Sequence, residues 1–198
     1  MSKAIMLSIR PKWVEKIASG EKTIEVRKTR PKLATPFKAY LYVTAGNLSY
    51  RCPNGMIFHC NGGREVIGEF VCNKVDWITR IGFSGFPVPS RYSICSHSNM
   101  SVLPINDLLY AARLTYPELA DYLAGGDGYG WHISDLRIYD APKKLGEFWR
   151  DCLEYSELST NCWSCENVCG DGDETDCNTD GRLYLHRPPQ SWCYVEEG

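Results

Sequence analysis

Near the start of the chain two opposite charges sit at strand spacing, beside a lysine at the preceding turn. Gly20, Lys22, Glu25 and Arg27 fall within the stretch GEKTIEVR. Thr23–Arg27 alternates cleanly, with Ile24 and Val26 on one side and Thr23, Glu25 and Arg27 on the other. Arginine supplies planar paired donors for a phosphate or a base edge, and a carboxylate accepts from amino groups. Together they make a compact polar cluster for ligand binding, in which Lys22 and Glu25 are also candidate catalytic acid–base groups. The competing reading is a solvated sheet face whose surface ion pair is worth little.

A second candidate lies in GYGWHISDLRIY (Gly128–Tyr139). His132 could donate a hydrogen bond to a ligand or act as a general base, whereas Trp131 reads as core. The two face opposite ways on a regular strand, so one of them should line a cleft or the surface. The expected ligand-binding set is therefore Lys22, Glu25, Arg27, Arg10 and His132. Lys12, Lys16, Lys28, Arg30 and Lys32 would supply a salt-sensitive electrostatic surface.

A third group is the cysteines, ten in 198 residues. Cys162-x2-Cys165-x3-Cys169-x7-Cys177 contains one genuine knuckle spacing, which lets two thiolates of a tight turn reach a tetrahedral ion. A second knuckle is missing, and Cys152, Cys193 or His186 could substitute for a ligand. A closed structural zinc site and reduced or buried thiols are the two readings. The loop Asp176-x-Asn178-x-Asp180-Gly181 begins like a calcium loop but carries Arg187 where the bidentate Glu belongs. Gly126-x-Gly128-x-Gly130 leads into a strand instead of opening a helix, and reads as a flexible turn.

These residues need elements to position them. Ala4–Ile9 reads as a buried strand, and Pro11 opens a helix with Trp13, Val14 and Ile17 on its apolar face. Gly20 closes that helix as a left-handed cap. Ala39–Ala45 and Val66–Val75 read as further strands, and residues 80–101 as a long irregular insertion. Pro104–Ala111 and Pro117–Ala124 read as short helices, and Gly128–Tyr139 as the last strong strand, ended by Pro142. This order predicts an α+β fold, a mixed barrel. The expected division is a barrel domain over 1–148 and an acidic, Cys-rich lobe over 149–198, ending in a strand packed on the barrel.

The bulk charge of −2 conceals a gradient. Residues 1–40 carry ten Lys/Arg against three acids, residues 41–150 ten of each, and residues 151–198 two against eleven. The head is thus +7 and the tail −9, so nucleic acid is not excluded as a partner. The acidic lobe could alternatively be a protein-binding surface. The apolar and charged fractions exclude wholesale disorder, and no apolar run is long enough for a membrane helix. The N-terminal apolar run is too short for an export signal, which reads as a cytoplasmic protein with reduced thiols.

With its strand and helix followed by Gly20-x-Lys22-x-x-Glu25-x-Arg27, the sequence resembles the ASCH family of the PUA-like superfamily. EVIGEFVCNKVDWI and YGWHISDLRIYD resemble that family's middle and closing strands, and RPPQSWCYVEE the tail of phage- and prophage-type members. The resemblance implies a small PUA-like barrel with short flanking helices and a cleft beside the first helix. It also implies an RNA or nucleotide-like ligand. One bacterial branch hydrolyses N4-acetylcytidine with a Lys, a Thr three residues later and a distant Glu. Here Lys22 fits, but Glu25 stands at the second position and the distant acid falls near Ala112. That pattern is not retained, since Thr23 would face away from Lys22. A hydrolase acting on a modified nucleoside or RNA is the alternative to a binding module.

Overall fold

The computed structural model describes residues 2–51, 55, 57–81, 91–95, 102–151 and 182–196. The first strand, β1 (Lys3–Ile9), is buried on both faces. Its odd residues Ile5, Leu7 and Ile9 enter one apolar cluster, and its even residues Ala4 and Met6 another. This explains why the segment reads as a continuous apolar run instead of an alternating one. Helix α1 (Pro11–Ala18) follows, burying Val14 and Ile17, and Gly20 ends it at φ 75°. A side chain at that φ would be strained, which is the physical reason for glycine there.

The chain continues through β2 (Ile24–Arg27), β3 (Phe37–Val43), β4 (Leu48–Arg51), β5 (Ile57–Cys60) and β6 (Glu65–Ile81). Next come β7 (Arg91–Cys95), β8 (Val102–Leu103), α2 (Asn106–Ala112), α3 (Tyr116–Leu123) and β9 (Gly128–Lys144). Three short strands close the sequence: β10 (Trp149–Asp151), β11 (Arg182–Tyr184) and β12 (Trp192–Glu196). The main sheet runs β12-β1-β3-β6, with β9 on the other edge of β6 and β2 beyond β9, while β7 and β8 extend one end. β1 and β3 are parallel, and the remaining pairs are antiparallel. None of the described helices is long and apolar enough to cross a membrane.

The α+β class and three short helices match the sequence reading, with several corrections. The expected barrel is not closed: among the described residues β2 pairs with β9 alone and β12 with β1, so no backbone ladder there joins the two ends. Side chains bridge that seam instead. Arg27 reaches the carbonyl of Ser8, Trp192 Nε1 donates to Thr29 Oγ1 at 3.0 Å, and the backbone N–H of Lys32 donates to Tyr194 Oη at 2.7 Å. Pro142 does not end the last long strand. β9 continues to Lys144 because Pro142 falls at a break in register, between the pairs Gly68↔Ile138 and Val66↔Lys143, where no N–H is required.

The 80–101 stretch is not wholly irregular, since β6 runs to Ile81 and β7 pairs back on it from Trp77↔Cys95 to Ile81↔Arg91. The hairpin of β4 and β5 had no counterpart in the sequence reading. Gly128 and Gly130 are not turn residues: a Cβ at Gly128 would lie 2.6 Å from Leu123 Cδ2, and one at Gly130 2.9 Å from Leu108 Cδ1. They are the smooth surface on which α2 and α3 seat.

Candidate functional site

Local backbone contacts bring Lys22 to its place. After Gly20, the Lys22 N–H donates to Lys16 O at 2.8 Å and the Thr23 N–H to Ala111 O at 2.9 Å. These tie the start of β2 to both α1 and α2. The lysine side chain then runs inward rather than into solvent: Lys22 is 2% exposed, Glu25 6% and Arg27 8%. The solvated-face reading of the strand is thereby overturned, because α1, α2 and the tail cover the polar side of β2.

The three groups form one network. Lys22 Nζ lies 3.2 Å from Glu25 Oε2, and Arg27 Nη2 lies 3.0 Å from Glu25 Oε1. Lys22 Nζ also donates to Ala112 O at 2.7 Å, and Arg27 Nη2 to Ser8 O at 2.7 Å. Arg27 Nη1 reaches Ser191 Oγ at 3.4 Å. Two cations share one carboxylate, so the cluster holds an excess of buried positive charge when Lys22 is protonated. Burial pushes the Lys22 amine below its usual range; Glu25 works against that, and Arg27 and Lys16 add to it. Arg27 Nε is buried with no hydrogen-bond partner among the described residues.

Lys22 yields a pH prediction. A lysine held below 10.5 in the fold binds fewer protons than in the unfolded chain, so its unfavourable contribution is full at low pH and fades as pH rises towards 10.5. Lys22→Met removes that titration. The unfolding free energy of the wild type relative to Lys22→Met, from urea titrations at stepped pH, should therefore rise towards alkaline pH. A pH-independent difference would show that the lysine is not desolvated.

The other expected site residues scatter. Arg10 is exposed just before α1, and its carbonyl accepts from Trp13 and Val14 N–H groups. Lys12, Lys28, Arg30 and Lys32 are exposed and Lys16 half-buried. Two of these cations lie over rings: Lys12 Nζ is 4.4 Å from the Trp13 ring centre and Lys28 Nζ 5.4 Å from that of Tyr122. Tyr122 is 40% exposed, an uncommon amount for a large ring.

His132 does not join the triad. Residues paired directly across antiparallel strands share a face: Glu25 is opposite Trp131, and Ile24 opposite His132. Trp131 is therefore the neighbour on the triad side, fully buried and edge-on to Phe37 at 5.5 Å. His132 lies on the reverse face, where its Nε2 is 2.7 Å from Asp76 Oδ2. Beside this pair is a cavity of about 510 Å³ between β2, β6, β9 and α2. Thr23 lines that cavity, away from the Lys22 amine. Sequence reasoning missed Asp76, which lies 56 residues from His132 and carries no local motif.

Cys162, Cys165, Cys169, Cys177 and Cys152 lie outside the described residues, as does the calcium-like loop. Among the described residues no group of three metal-ligating side chains converges. Cys193, a substitute ligand, sits on β12 against an apolar cluster, and burial pushes its thiol up to about 11.

The ASCH domain model matches residues 7–71 of the chain. Over those residues the chain is similar to ASCH domains. The matched span contains Lys22, Glu25 and Arg27, and ends before Asp76 and His132. No curated protein matches the chain. Among solved structures, it is similar to an ASCH protein from Zymomonas mobilis at 16% identity and a TM-score of 0.50, covering 98% of this chain and 88% of that one. A point variant of the same protein aligns at 16% identity and a TM-score of 0.50, over 99% and 92%. At that identity the likeness shows the fold alone and leaves the ligand open.

Proposed function

We propose that this protein is an RNA- or nucleotide-binding module whose anionic ligand is met at the seam between β2 and the β1–β12 edge. The observation that carries this reading is the buried cation excess of Lys22 and Arg27 over Glu25, with Arg27 Nε lacking a hydrogen-bond partner among the described residues. A buried charge without a counter-charge is costly, and a phosphate supplies one. Exposed cations lie along residues 10–32, and Lys12 and Lys28 stand over the Trp13 and Tyr122 rings. In this reading Arg27 holds phosphate or a base edge, Glu25 orients Arg27, and Arg10, Lys12, Lys16, Lys28, Arg30 and Lys32 attract the backbone.

Binding of a labelled single-stranded oligoribonucleotide, followed by fluorescence anisotropy across a salt series, tests it. Affinity should fall steeply with salt, the logarithmic slope easing by about 0.7 for each phosphate-contacting lysine removed, as in Lys28→Ala. Arg27→Ala should weaken binding about tenfold or more, in line with losing a charge-assisted hydrogen bond. Because Arg27 also spans the seam, Arg27→Lys is measured beside it, retaining charge without the paired donors. Equal binding by all of these proteins across salt would refute the reading.

A further inference from the structure

The cavity on the reverse face of β2 has a polar edge with a defined donor and acceptor order. Asp76 is 8% exposed and accepts from two sides: Lys74 Nζ at 2.8 Å from Oδ1, and His132 Nε2 at 2.7 Å from Oδ2. Burial alone would raise its pKa, but the bonds and charges of His132 and Lys74 outweigh burial and hold the carboxyl below its usual range. An ionised carboxylate only accepts, so Nε2 of His132 must carry the proton. In its neutral form His132 would present Nδ1 as a lone-pair acceptor, and no described group bonds to that nitrogen. Lys74, 60% exposed at its side chain, has further N–H donors beside it. Both residues line the cavity, whose walls include the apolar Ile24, Ile94, Leu108 and Ile133.

We propose that this cavity is a second ligand site, for a flat, uncharged heterocycle carrying a ring N–H next to a carbonyl: a nucleobase of the uracil type or a related cyclic amide. The ring N–H would donate to His132 Nδ1 and the adjacent carbonyl would accept from Lys74, while the ring lies between the aliphatic walls. About 510 Å³ falls within the range of small-molecule pockets and suits a nucleoside. The site needs no phosphate, and it stands whether or not the seam binds RNA.

Asp76→Asn supplies a test that preserves shape. Lys74 only donates, so the Asn oxygen turns to it and the amide NH₂ faces His132 Nε2. That nitrogen must then accept, the ring proton moves to Nδ1, and the acceptor in the cavity becomes a donor.

The experiment uses the full chain, with uridine and 3-methyluridine as probes, followed by NMR chemical-shift titration. Uridine should perturb β2, β6, β9 and α2 signals saturably and with little salt dependence, and 3-methyluridine should bind at least tenfold more weakly. Asp76→Asn should weaken uridine by a similar factor while its spectrum stays native. The ring ¹⁵N shifts of His132 report the tautomer without any ligand: Nε2–H in the wild type and Nδ1–H in Asp76→Asn. An Nδ1–H wild type, uridine binding unaffected by Asp76→Asn, or no uridine binding at millimolar concentration would each overturn the proposal. Its failure leaves the salt-steep RNA result untouched, and the reverse holds, so the two readings fail separately.

Discussion

Glu25→Ala should unfold at much lower denaturant than the wild type, with a loss of about 3–5 kcal/mol. Among the described residues the carboxylate is the only anion in contact with both Lys22 and Arg27, at 3.2 and 3.0 Å, and all three residues are under 9% exposed. Removing it leaves two buried cations facing one another, with the carbonyls of Ala112 and Ser8, the Ser191 hydroxyl and the Trp13 ring as their partners among the described residues. The lysine can relieve part of the strain by losing its proton, because burial already lowers its pKa. The arginine cannot. Glu25→Gln should lose less, since the amide oxygen still accepts one bond. Adding Lys22→Met to Glu25→Ala should recover stability, an interaction energy that a double-mutant cycle reads directly. A loss below about 1 kcal/mol for Glu25→Ala would place the network with ordinary surface ion pairs and contradict its burial.

Trp131→Ala is the other change with a large expected effect, about 3–5 kcal/mol by urea unfolding. The indole is fully buried, meets Phe37 edge-on, and lies 6.1 Å from the Trp192 ring, which also bonds across the seam. Removing it opens a cavity directly behind the triad. Its Nε1 is buried without a hydrogen-bond partner, so Trp131→Phe forfeits volume but no bond. Trp131→Phe should therefore lose much less than Trp131→Ala. Equal losses would mean that the indole N–H, not its bulk, holds the site together.

Much of the positioning machinery was legible in the residues. Gly20 marked the end of α1, Pro11 its start, and the alternation of Thr23–Arg27 placed Glu25 and Arg27 on a common face. The opposition of Trp131 and His132 was legible for the same reason, since neighbouring strand residues face opposite ways. Alternation could not say what covers each face. Glu25 and Arg27 look like solvated residues from their types alone, and only the packing of α1, α2 and the β12 segment removes them from water. The partner of His132 was equally hidden. Asp76 meets it through the pairing of β6 with β9, whose register shifts three times along the ladder.

By itself, then, the sequence determined the order of β1, α1, β2, β3, β6, α2, α3 and β9, the ends of α1 and the identity of the charged residues on β2, because these depend on contacts a few residues apart. The tertiary structure decided that the barrel stays open at a seam bridged by Arg27 and Trp192. It decided too that Lys22, Glu25 and Arg27 form a buried network, and that His132 serves a separate cavity with Asp76. Those outcomes rest on strand pairing and bulges between segments dozens of residues apart. Burial and charge pairing are properties of such long-range neighbours, and no local pattern encodes them.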